Sequence, residues 1–80
     1  MEERKLIIGF KSKTRDVSEQ VADKLVITKI LKENVHNLKG VRLSDPDSRG
    51  NQELTIITTH PSYNYNGVLQ GLTNGGYIIK

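Results

Sequence analysis

The chain has 80 residues, no cysteine and a hydrophobic fraction of 35%, with Phe10, Tyr63, Tyr65 and Tyr77 as its aromatic residues. That composition excludes a disulfide framework and a thiolate metal site, and no apolar run approaches the roughly 20 residues of a membrane-spanning helix. The net charge of +3 suits a polyanionic partner without specifying one.

A single domain over residues 1–80 is expected, with a core of Ile, Leu and Val, and so thin a core favours self-association. The first residues, MEERKLIIGF, place acids ahead of a short apolar run and do not read as a signal peptide. A cytoplasmic protein with no membrane partner is therefore expected.

In chain order, Lys5 to Ser12 reads as a first strand. Leu6, Ile8 and Phe10 alternate with Ile7, Gly9 and Lys11, so both faces start apolar, as in a central strand. Lys11, Lys13 and Arg15 then follow at alternate positions. Asp16 opens a helix, with Asp16-Val17-Ser18-Glu19 as a capping-box variant. Val17, Val21 and Leu25 share one face, with Glu19, Gln20, Asp23 and Lys24 opposite. Continuing at about 100° per residue puts Val26, Ile27 and Ile30 on the polar side. Residues 25–31 therefore read either as more helix or as a strand. The lack of Gly or Pro before Asn34 favours one helix to about that residue.

A turn at Asn37 to Gly40 leads into a strand at Val41 to Leu43. Ser44 to Gln52, SDPDSRGNQ, is the clearest loop, and it predicts a hairpin with Leu54–Thr59. In that strand Leu54, Ile56 and Thr58 alternate with Thr55, Ile57 and Thr59. Pro61 ends it, and Tyr63 and Tyr65 would share a face if the chain stayed extended. The tail is either a helix around Val68–Leu72 stopped by Asn74-Gly75 and followed by a strand Tyr77–Lys80, or a second hairpin. The class is α+β, a small antiparallel sheet with one or two helices. The β-α-β-β-α-β order of ferredoxin-like folds is favoured, and a β-rich sheet with a single short helix is the alternative.

Catalytic patterns are missing. His36 and His60 stand apart from other ligand types, and there is no Gly-x-Ser-x-Gly. Asp45-x-Asp47-x-Arg49-Gly50 resembles the start of a calcium loop but puts Arg49 at a ligand position and Ile56 where a bidentate Glu belongs. No phosphate-binding glycine motif occurs, and Gly67, Gly71, Gly75 and Gly76 read as turn residues. No enzyme, cofactor or metal is expected.

The first functional expectation is a binding protein for a phosphate-bearing ligand, a nucleic acid strand or a nucleotide. Lys11, Lys13 and Arg15 would neutralise charge, Tyr63 and Tyr65 would stack, and His60, Asn64 and Asn66 would hydrogen-bond. Arg42 and Arg49 would be auxiliary. The second is a protein–protein module or inhibitor of the kind carried by phages or mobile elements. It would be homo-oligomeric, using the edge strand Tyr77-Ile78-Ile79 and the surface of the first helix.

Overall fold

The computed structural model describes residues 2–10, 16–60 and 63–80. Across them the chain runs β1 (Glu2–Gly9), α1 (Val17–Asn34), β2 (Leu38–Leu43), β3 (Gln52–Thr58), α2 (Tyr65–Asn74) and β4 (Ile78–Ile79). The strands pair antiparallel in the order β2-β3-β1-β4. Each helix thus joins two strands that have a third between them, the split arrangement of ferredoxin-like folds. Both ambiguous segments resolve as helix: residues 25–31 lie inside α1, and the tail forms α2 and then β4.

The period of two in β3 decides what is inside. Leu54, Ile56 and Thr58 are fully buried beneath the helices, and the register sets Leu6 opposite Leu54 and Ile8 opposite Gln52. Ile27 and Leu31 of α1, Val68 and Leu72 of α2, and Tyr77 complete the core from above. Each such aliphatic side chain contributes on the order of 1.5–3 kcal/mol when buried. Register places Glu3, Lys5, Ile7, Arg42, Glu53, Thr55 and Ile57 on the other face, where no described helix lies. That face is laced by Arg42–Glu3 at 2.9 Å and Lys5–Glu53 at 3.8 Å.

Helix α1 sits the other way up from the expectation. Val17, Val21 and Leu25 are 75%, 55% and 67% exposed, whereas Ile27 and Leu31 are buried and Asp23 accepts a hydrogen bond from the Tyr77 hydroxyl at 3.1 Å. The cause is a second apolar stripe in the C-terminal half, Ile27, Ile30 and Leu31. This stripe meets α2 and the sheet together. A Cβ at Gly71 would stand 2.7 Å from Ile30 Cγ2, and one at Gly67 would overlap Asn34. Those two glycines are therefore points of helix–helix approach, not turn residues.

The ends of the elements follow local chemistry. Asp16 Oδ1 accepts from Glu19 N at 2.8 Å, the Asp16 half of the expected box. Asn64 Oδ1 accepts from Gly67 N at 3.0 Å and caps α2. At the far end Gly76 N donates to Thr73 O and Tyr77 N to Leu72 O, with Gly76 at φ 92°. That double bond is a Schellman stop, and the positive φ is why Gly76 is glycine.

In the β2–β3 loop, Asp47 Oδ1 accepts from Arg49 N and Asn51 N at 2.8 and 2.9 Å. This carboxylate organises a hairpin loop, as the sequence suggested. The strand boundaries differ from the expected ones: β3 runs Gln52–Thr58 where Leu54–Thr59 was expected, and β4 Ile78–Ile79 where Tyr77–Lys80 was. β1 begins at Glu2, because β3 continues to Thr58 and pairs with it, and its described residues end at Gly9. β2 begins at Leu38 with a register shift between Leu38 and Gly40, so Gly40 lies within the strand and not in a turn.

Candidate functional site

The expected ligand residues fall into two groups. Lys11, Lys13 and Arg15 lie outside the described residues. Tyr63 and Tyr65 lie where β3 hands over to α2. They are not carried on a strand, because Asn64 caps a helix whose first residue is Tyr65. Their rings meet edge to face with centroids 6.4 Å apart, and the Arg4 guanidinium lies 3.6 Å from the Tyr65 centroid. The cation therefore comes from β1, a pairing that depends on strand register and not on local sequence.

Asn64 is committed to its cap, and Asn66 is exposed on the first turn of α2. His60 is tied by its carbonyl, which accepts from Asn37 Nδ2 at 2.6 Å. Thr59 N donates to Asn37 O beside it, so Asn37 holds the end of β3 against the start of β2.

Beside Tyr63 a hollow of ≈ 180 Å³ is lined by Glu2, Glu3, Arg4 and Thr58. Two carboxylates at its wall oppose a phosphate. Arg4 and Gly9 stand roughly 16 Å apart along β1 at about 3.3 Å per residue.

A different surface gathers more. On α1 Ile30 and Asn34 stand against α2, and Ile27 and Leu31 are buried in the core. The remaining flank, turned away from α2, carries Val17, Val21 and Leu25 at i, i+4 and i+8. Helical spacing adds Lys24, Thr28, Lys29 and Lys32 to that flank, while Glu19 and Asp23 fall further round. A groove of ≈ 170 Å³ runs between Val17, Val21 and Lys24 on one side and Leu43, Ser44 and Asp45 on the other. The flank therefore overhangs the outer edge of β2.

A larger concavity, ≈ 370 Å³, wraps the same edge and is lined by Lys5, Lys24, Arg42, Leu43, Ser44, Glu53 and Thr55. Lys5 and Arg42 have carboxylate partners. Lys24 makes no ion pair among the described residues. β2 is the outer strand, and its hydrogen-bond phase is fixed by Ser44 N donating to Glu53 O at 2.9 Å. Alternation then gives Arg42 an inward-bonded backbone and points the amides and carbonyls of Val41 and Leu43 outward.

The sequence shows Val17, Val21 and Leu25 as one apolar face of α1, and it is this face that lies exposed. The available signal was the presence of two apolar stripes on one helix, since a helix on one face of a sheet has room to bury only one of them. Comparison of the chain with protein-family models, with curated proteins and with solved structures finds no significant match.

Proposed function

We propose that this chain is a non-enzymatic protein-interaction module whose docking surface is the outer flank of α1 with the adjoining edge of β2. The observation that carries this reading is the exposure of Val17, Val21 and Leu25 in a row beside an unpaired strand edge. Clustered apolar residues rimmed by charge mark interaction surfaces, whereas scattered ones need no explanation. A docking protein or inhibitor uses such a surface directly. The edge expected from sequence, β4, offers only Ile78–Ile79; β2 offers Leu38–Leu43.

The test is site-specific photo-crosslinking of the full chain. A photoreactive amino acid at position 25 should give protein adducts, and one at exposed Thr73 on α2 should give none. Equal yields from the two positions, or none from position 25, would sink the reading.

A second reading keeps the phosphate-bearing ligand, nucleic acid or nucleotide, and rests on Arg4 stacked on Tyr65 beside Tyr63. Lys11, Lys13 and Arg15 would supply further charge, with His60, Asn64 and Asn66 at the rim. Titration with single-stranded DNA and RNA should then show affinity that falls steeply with salt. The Tyr63→Ala/Tyr65→Ala pair should lose that affinity while remaining folded.

A further inference from the structure

Resting on the interaction-module reading, we propose that the partner segment is an acidic, extended polypeptide that adds to β2 as a new outer strand. Three observations specify it. The first is the edge itself: Val41 and Leu43 present backbone donors and acceptors outward, which only another extended backbone satisfies in series. The second is the overhang. A strand laid against β2 sends alternate side chains toward the helix layer, into the groove bounded by Val17, Val21 and Leu43. Those positions of the partner are apolar.

The third is charge. Lys24, which makes no ion pair among the described residues, hangs over the edge from the helix side, and Arg42, 65% exposed at its side chain beside its partner Glu3, from the open face; both line the concavity around Leu43 and Ser44, which Lys5 and its partner Glu53 also line. Lys39 lies on the same strand, and Lys29 and Lys32 continue the α1 flank by spacing. The partner's remaining side chains, pointing to the open face and the rim, are therefore carboxylates. A second copy of this chain is a poor occupant, because pairing this flank with itself sets lysine against lysine.

The lysines and the bulge near Lys39 also explain how the monomer tolerates a bare edge. Inward or flanking cations discourage pairing with neutral or basic strands. The same devices then act as a filter for acidic ones.

The experiment uses the full chain and a synthetic peptide of alternating Glu and Val, with an alternating Lys and Val peptide as control. Amide hydrogen exchange is followed residue by residue. On adding the Glu-Val peptide, the Val41 and Leu43 amides should gain protection of at least about tenfold while Arg42, already bonded to β3, changes little. Leu25→Glu and Arg42→Glu should each weaken binding by roughly tenfold or more. Unchanged exchange at core amides will show that both variants remain folded.

Equal binding of the Lys-Val peptide would overturn the proposal. So would binding without protection at Val41 and Leu43, binding only of a single-stranded oligonucleotide, or no binding at about 1 mM peptide. Crosslinks from position 25 into another protein, with no peptide effect at β2, would leave the interaction module standing and remove the added strand alone.

Discussion

Gly71 decides how closely α2 meets α1. Alanine is the better helix former by about 1 kcal/mol, so propensity alone would make Gly71→Ala stabilising. The added Cβ, however, would come 2.7 Å from Ile30 Cγ2, a methyl group on a β-branched side chain half-buried between the helices. That methyl cannot swing aside without leaving its rotamer, and forced overpacking costs about 1–3 kcal/mol. Strain wins, and Gly71→Ala should lower the urea midpoint with the slope unchanged. A rise in the midpoint would mean that the helices sit further apart than described. Gly75 makes a useful contrast: its added Cβ would approach Tyr77 at 3.2 Å and φ is −76°, so substitution there asks a ring edge to shift by tenths of an ångström.

At the scale of the element, α1 is the helix whose orientation carries the functional argument. Ile27 is fully buried in the core, and Leu25, two positions earlier, is mostly in solvent. Ile27→Ala should therefore cost about 2–5 kcal/mol in chemical denaturation, with cavity and transfer terms both contributing. Leu25→Ala should stay within about 0.5 kcal/mol. A reversal of the two would turn the helix over and remove the docking flank.

Much of the fold was legible in local chemistry. Period-two alternation picked out β3, the SDPDSRGNQ stretch marked the hairpin, Asp16 marked the start of α1, and Asn74-Gly75 came one residue from the glycine that stops α2. The face of α1 was not legible. Val17-Val21-Leu25 and Ile27-Ile30-Leu31 satisfy the same spacing rule, and only contact with α2 chooses between them. The site suffered from the same ambiguity. Tyr63 and Tyr65 looked like strand residues because nothing in a Tyr-x-Tyr pattern reveals that the intervening Asn64 will cap a helix. Arg4 over Tyr65 required the β1–β3 register, which places the start of β1 beside the end of β3.

At the scale of the whole molecule, the described residues supply a buried hydrophobic core of nine. Such a chain gains stability by burying more surface against something else. Two surfaces offer this, the α1 flank with β2 and the open face of the sheet, and they differ in charge. On the open face Glu3 and Glu53 already answer Arg42 and Lys5. The α1 flank carries Lys24, Lys29 and Lys32, with Asp45 as the one acid lining its groove among the described residues. Self-association through the flank is consequently opposed, and added acidic strands are favoured.

This distinction appears in thermal unfolding. The midpoint of the chain alone should not climb with protein concentration, as it would for a dimer whose folded form is the associated one. With the alternating Glu-Val peptide present it should climb with peptide concentration, reaching about 2.7 kcal/mol of added stability at about one hundred times the dissociation constant. Raising the salt should shrink that gain, because several of the proposed contacts pair exposed charges that ions screen over roughly 10 Å. Leu25→Glu should cut that gain to about half or less at the same peptide concentration and leave the peptide-free midpoint in place. A midpoint that instead rose with the concentration of the chain itself would make the second copy the true occupant, and the lysines of α1 would then need partners on the copy that the charge pattern of this flank does not supply.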